Sequence, residues 1–173
     1  MTRTDLDTRQ RTFTDVILKS GNALLEIIND ILDFSKIDAG QLVLCPKPFN
    51  LVDTAEDIAT LMSSRVVEKD IELIVRIAPG LPDKLIGDPG RIRQIMTNLV
   101  GNAVKFTEQG HVMVEITWRV LETAGSDNSA AERLAISIAV RDTGIGIPPE
   151  KLETIFDKFS QVDSSSTRKH EGT

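Results

Sequence analysis

Asp142-Thr143-Gly144-Ile145-Gly146-Ile147-Pro148 closes an apolar run, Leu134 to Val140, that alternates like a strand, and it leads into a short acidic, amphipathic segment from Pro149 to Ile155. A strand that ends on a carboxylate and then offers two glycines one residue apart suggests a ligand loop. Gly144 and Gly146 permit a tight turn and a close backbone approach to a planar or phosphorylated ligand, with no Cβ in the way. Asp142 at the strand end can accept a hydrogen bond from an exocyclic amine. Taken alone, the stretch reads better as an Asp-initiated turn with glycines at positive φ, because a short Gly-x-Gly is common. A second stretch, Asn98 to Thr107, reverses that preference.

Upstream, Asp88-Pro89 opens a helix, with Asp88 able to cap it and Pro89 in the first turn, where proline is tolerated. Ile92, Ile95, Met96, Leu99, Val100, Ala103 and Val104 form its expected buried face. Asn98 and Asn102 lie four apart, so both amides project from one face. A lone pair of such amides would be solvated surface. Here Lys105-Phe106-Thr107 follows and the helix breaks. One face therefore offers amide oxygens for a hard cation and a lysine for a phosphate, the equipment for a Mg-nucleotide.

The rest of the chain arranges itself around these two stretches. Residues 8 to 39 read as one long helix: Phe13, Ile17, Ser20, Leu24, Ile27, Ile31 and Phe34 follow a 3-4 spacing, and Gly40 is placed to stop it. Such a stripe cannot be buried by one helix, so a hairpin or dimeric bundle is expected. Gln41 to Leu51, with Leu42, Val43, Leu44, Pro46 and Pro48, is confined to a short edge strand and a connector, and marks the candidate domain boundary. Leu51 to Lys69 reads as an amphipathic helix, Ile71 to Ile77 as an alternating strand, Pro79 to Pro82 as a turn and Lys84 to Gly87 as a brief extended piece. His111 to Leu121 and Arg133 to Arg141 are antiparallel strands joined by a Gly-, Ser-, Asn- and Ala-rich loop. The order gives an α+β chain: a helix, then a sandwich with helices on one face of a mixed sheet.

Bulk properties narrow the partners. The 173 residues suffice for one ordinary domain and an appendage. A net charge of -6 argues against nucleic acid as the main partner. The single cysteine, Cys45, excludes an intrachain disulfide and fits a reducing compartment. No apolar run approaches the roughly 20 residues of a membrane helix, and the start carries no signal peptide. The expectation is a soluble, cytoplasmic chain, the parent protein being free to carry a membrane anchor elsewhere.

Asn98-Leu99-Val100-Gly101-Asn102-Ala103-Val104-Lys105-Phe106-Thr107 resembles the N box of sensor histidine kinases, Asp142 to Ile147 their G1 box, and Phe156-Asp157-Lys158-Phe159 the F box of their lid. Ile27 to Ile37 is similar to the second dimerisation helix of hybrid-type members. The resemblance runs from about Thr8 to Thr173, with three boxes in order behind that helix. It implies a partial dimerisation and phospho-acceptor domain over 1–40, and over 41–173 a C-terminally truncated Bergerat fold, the two-layer ATP-binding sandwich shared with gyrase-type ATPases. It implies ATP and Mg as ligands: Asn102 on Mg²⁺ with Asn98 beside it, Lys105 on phosphate, Asp142 on the adenine amine, Gly144 and Gly146 around the base, and Phe156 and Phe159 on the lid. Arg91 and Arg93 are left as surface charges.

In ATPase relatives a glutamate stands where Asn98 stands and activates water. An amide cannot act as a general base, so Asn98 favours phosphoryl transfer over hydrolysis. The implied function is transfer from Mg-ATP to a histidine and on to a receiver aspartate of a response regulator, within a homodimer held through the helix at 8–39. The alternative is a non-catalytic dimerisation or interaction module. The chain departs from the family at both ends: no acceptor histidine stands in a matching context, since His111 starts a strand and is expected exposed, while His170 lies in the tail. Only the first glycine of the G2 box is present. A fragment without kinase activity of its own is expected.

Overall fold

The computed structural model describes residues 6–121 and 132–153. The chain divides into two units, one ending at Leu44 and the other beginning at Cys45. The first is a single helix, α1 (Thr8–Asp38). Asp7 caps it: the Asp7 carboxylate accepts from Gln10 N–H at 2.8 Å, and the Gln10 side chain accepts from Asp7 N–H at 3.0 Å. This reciprocal box satisfies two of the donors that every helix start leaves open. At the other end Gly40 sits at φ 64°, Gly40 N–H reaches Ile37 O and Gln41 N–H reaches Lys36 O. That paired closure needs a left-handed residue, which glycine supplies. Along α1, Phe13, Ile17, Leu24 and Ile31 are exposed, while Phe34 is half-buried.

The second unit runs β1 (Lys47–Phe49), α2 (Leu51–Lys69), β2 (Glu72–Ile77), β3 (Leu85–Gly87), α3 (Pro89–Phe106), β4 (His111–Val120) and β5 (Leu134–Asp142), followed by a short 3₁₀ turn (Pro149–Lys151). β1 and β3 form a two-stranded antiparallel ribbon, with Pro48 opposite Ile86. The edge strand therefore occupies Lys47–Phe49, and Leu42–Leu44 precedes it with Val43 and Leu44 exposed. A proline is tolerated there because a two-stranded ribbon leaves one edge of each strand unpaired.

The main sheet has the order β2-β4-β5. β2 and β4 are parallel, with Glu72 opposite His111, and β4 and β5 are antiparallel, with Val112 opposite Asp142. The parallel pair requires a crossover, and α3 lies within it. Strand alternation then sorts the faces. Val112, Val114 and Ile116 on β4 are buried, with Leu73, Val75, Ile136 and Ile138 packed beside them. On the outer face Glu115 pairs with Arg76 at 3.6 Å and Arg141 at 3.4 Å. Over the inner face lie α2, through Leu51, Ala55, Ile58 and Met62, and α3, through Met96, Val100, Ala103 and Val104. A small apolar gap lined by Ile58, Leu73, Met96, Val100 and Val114 belongs to this core. The architecture is a two-layer α+β sandwich, as the alternation and helix spacing imply.

Each helix start has a local cause. Asn50 accepts from Val52 N–H at 2.8 Å and Asp53 N–H at 3.4 Å to begin α2. Asp88 accepts from Arg91 N–H at 3.1 Å to begin α3. One expectation is corrected on α3: Ile95 and Leu99 are 58% and 45% exposed. They sit one residue before the buried Met96 and Val100, about 100° around the helix. The core takes only the narrower stripe, and Ile95 and Leu99 fall on the exposed side with Asn98 and Asn102. His111 is half-buried rather than exposed, because β4 begins between β2 and the Thr143 side chain that bonds its N–H.

Candidate functional site

Asp142 is the last residue of β5, and its exposed carboxylate stands where the sheet gives way to the glycine loop. One of its oxygens, Oδ1, accepts from Gly144 N–H at 2.9 Å. That bond fixes both the carboxylate and the first turn of the loop. Ile145 N–H then donates to the carbonyl of Phe106 at 3.3 Å. The loop is thus attached to the C-terminal end of the helix that carries Asn98, Asn102 and Lys105.

The two glycines serve different ends. Gly144 has no left-handed backbone, but a Cβ there would run into the Phe106 carbonyl and come within 2.9 Å of Asp142 Oδ1. Gly146 has open space around it and φ 69°, a conformation that costs a residue with a side chain. The close approach that Gly144 makes possible in this structure is to the end of helix α3.

Thr143 pins the loop from the other side. Its N–H donates to His111 O at 3.2 Å, and its hydroxyl accepts from His111 N–H at 3.0 Å and lies 3.1 Å from Gln109 O. Gly110, at φ 100°, leaves room for that hydroxyl. On α3, Thr107 is fully buried and its hydroxyl donates to Ala103 O at 2.7 Å, closing the helix. Nothing local marks Thr143 for this role, because its partners lie more than thirty residues away, whereas the Thr107 hydroxyl bonds within its own helix end.

Asn98 and Asn102 are exposed on α3. The Lys105 ammonium lies 5.1 Å from the centroid of the exposed Phe106 ring. Arg91 bonds Gln94 at 2.9 Å and Arg93 bonds Asp57 at 2.7 Å, so both belong to side-chain pairs on the helix surface. At the far end of α3, Asp88 accepts from Cys45 N–H at 2.9 Å as well as from Arg91 N–H, and these bonds hold its carboxyl below the usual carboxylate value. Among the described residues no group of three or more His, Cys, Asp and Glu could form a metal cage. Mg²⁺ shared between an amide oxygen, phosphates and water needs none, so the donor set fits a Mg-nucleotide. Phe156, Phe159, His170 and the segment from Ser164 to Thr173 lie outside the described residues. No helix among the described residues is long and apolar enough to cross a membrane.

Residues 87–173 match the family described as histidine kinase-, DNA gyrase B- and HSP90-like ATPase. Residues 1–40 match the His Kinase A (phospho-acceptor) domain. The chain is 43% identical over 171 residues to the signal transduction histidine-protein kinase BarA of Escherichia coli, covering 99% of this chain and 18% of that protein. It is 40% identical over 170 residues to the hybrid signal transduction histidine kinase A of Dictyostelium discoideum, covering 98% of this chain and 8% of that one. Among solved structures it resembles full-length ShkA in complex with AMPPNP, with a TM-score of 0.68, 34% identity, and coverage of 91% of this chain and 31% of that one. The chain thus spans less than a fifth of either of these two curated relatives. Its motif order, its sandwich and these likenesses agree, and the chain belongs to the sensor histidine kinases.

Proposed function

We propose that residues 41–173 bind Mg-ATP and supply its γ-phosphoryl group to a histidine, from which it passes to the receiver aspartate of a response regulator. The observation that carries this reading is the bond from Ile145 N–H to Phe106 O. It joins the end of the amide-bearing helix to the loop that begins at the exposed Asp142. Asp142 accepts the adenine amine, and Gly144 and Gly146 shape the base pocket. Lys105 neutralises phosphate as a point charge. Asn102 ligates Mg²⁺ with Asn98 beside it, and the exposed Ile95 and Leu99 give the pocket the apolar lining such sites use. Phe156 and Phe159, outside the described residues, are assigned to ATP binding by the family resemblance alone. Asn98 offers no general base, which favours transfer to a side chain over release of phosphate.

Residues 1–40 act in the same proposal as half of a dimerisation domain, with α1 packing on a second copy on the cytoplasmic side of a parent kinase. The chain's histidines are His111, inside β4, and His170. Neither is in an acceptor context, so the chain alone yields no phosphohistidine. A second reading, an association module without nucleotide, is supported by the exposed apolar residues Phe13, Ile17, Leu24 and Ile31 on α1.

Calorimetric titration of Mg-ATP and a non-hydrolysable analogue into this chain, with Asn102→Ala as the control, separates the two. Binding that the variant loses supports the nucleotide site. A dimeric chain that takes up no nucleotide would leave the association reading in its place.

A further inference from the structure

Every helix C-terminus leaves its last carbonyls without intrahelical donors. At the end of α3 these groups are shared between two outside elements. Ala103 O accepts from Thr107 N–H and from the Thr107 hydroxyl. Phe106 O accepts from Ile145 N–H of the glycine loop. The remaining three are taken by a single side chain, Lys69, the last residue of α2. Its ammonium lies 3.1 Å from Val104 O, 2.7 Å from Lys105 O and 3.0 Å from Thr107 O, with Glu108 Oε1 at 3.5 Å. An ammonium has three donors, and all three carbonyl bonds lie within the same cap. The Lys69 side chain is 26% exposed, so these charge-assisted bonds are partly withdrawn from water and stronger than neutral ones. The cation also sits at the negative end of the helix dipole.

We infer that Lys69 is a positioning residue for the nucleotide site: it holds the carbonyls on both sides of Phe106 so that the Phe106 carbonyl is presented to Ile145, which sets the glycine loop and Asp142 against α3. This rests on the nucleotide reading above for its consequence, but its geometry stands on the bonds themselves. Gly144 shows why the register matters, since loop and helix end approach so closely that a Cβ would not fit. If Lys69 releases Val104, Lys105 and Thr107, the last turn of α3 frays. The backbone that carries Lys105 then loses its fixed relation to the loop that carries Asp142. A salt bridge to Glu108 is the lesser part, because Glu108 is largely exposed and such pairs contribute little.

The test compares the whole chain with Lys69→Met, which keeps the stem and removes charge and donors, and with Lys69→Arg, which keeps the charge but replaces the ammonium with a planar fork that cannot meet three carbonyls converging on one point. Two quantities are read in each protein that folds: the amide exchange rate of Ile145, referenced to Ile138 in the middle of β5, and the dissociation constant for Mg-ATP. The expected result is Ile145 exchange at least tenfold faster in Lys69→Met, Ile138 unchanged, and Mg-ATP bound about tenfold more weakly, with Lys69→Arg between the two. A folded variant of either kind with native exchange at Ile145 and native affinity overturns the inference. If the unsubstituted chain binds no Mg-ATP, the nucleotide reading fails, and the Ile145 exchange rate alone decides for or against Lys69.

Discussion

The glycine pair gives the sharpest quantitative expectation. Gly144→Ala places a Cβ against the Phe106 carbonyl and near Asp142 Oδ1. The obstructing atom is backbone, so it cannot swing aside as a side-chain terminus would. Overpacking of this kind costs typically about 1–3 kcal/mol. The loop must withdraw from α3, which removes the Ile145–Phe106 bond at about 1 kcal/mol more. Alanine also stiffens the unfolded chain, which offsets about 0.4–1 kcal/mol. A net loss of about 1–3.5 kcal/mol, centred just above 2 kcal/mol, follows from these three magnitudes. Gly146→Ala meets no atom within 4 Å and pays only for φ 69°, about 1–2 kcal/mol, less the same offset, so about 1 kcal/mol remains. At roughly 2–4 °C per kcal/mol, thermal unfolding followed by circular dichroism should fall by about 7 °C for Gly144→Ala and about 3 °C for Gly146→Ala. Mg-ATP affinity should fall with Gly144→Ala, because the withdrawn loop carries Asp142 away from α3. The reasoning is refuted if Gly146→Ala is the more damaging of the two, or if Gly144→Ala unfolds at the native temperature.

Asp142→Ala should cost base selectivity more than stability, by about 1.5–3 kcal/mol of ligand hydrogen bonding; equal ATP and GTP binding by the unsubstituted chain would contradict the assignment. Asp142→Asn keeps an oxygen for Gly144 N–H and turns an NH₂ toward the base, so competition binding should show the preference moving from a 6-amino toward a 6-keto purine. For Asp88 the carboxyl is held below its ordinary value of 3.8 chiefly by the backbone N–H groups of Cys45 and Arg91. Its contribution is therefore complete above the unfolded value and lost as pH falls through the lower folded value. Asp88→Asn should lower the neutral region of a stability–pH curve and flatten its limb below about pH 4, so that variant and unsubstituted chain converge in acid; a steep acid limb retained in the variant would remove Asp88 from the account. Ile27→Asp should convert a dimer to monomer in analytical ultracentrifugation, since it puts a charge on the apolar stripe of α1; a dimer of unchanged mass would point the interface elsewhere.

Caps and alternation made most of the second unit legible. Asp88-Pro89 marks the start of α3 without ambiguity, because both residue types satisfy requirements that are local to a helix start. Leu73, Val75 and Ile77 against Glu72 and Arg76 declare β2 for the same reason: the strand period is a property of adjacent residues. The exposure of Ile95 and Leu99 is not legible in the sequence, because apolar spacing reports which residues are apolar, not which are covered. Their exposure follows from α3 facing the core on one side only. The division of labour between Gly144 and Gly146 was also hidden, since one depends on φ and the other on a carbonyl 38 positions earlier.

The contacts that assemble the site are of this second kind. Lys69 to Thr107, Thr143 to His111 and Ile145 to Phe106 each join residues more than thirty positions apart, and none follows a period. Their common feature is chemical. Each supplies a donor or acceptor to a backbone group that a helix end, a loop or the start of a strand leaves open, and buried backbone groups without partners are costly. The motif residues Asn98, Asn102 and Asp142 are exposed and Lys105 is half-buried, and these four carry the proposed chemistry. In the proposed reading, the residues that satisfy the backbone behind them decide whether those side chains meet one ligand. A substitution at Lys69 or Thr143 should therefore weaken the site while every motif residue remains in place.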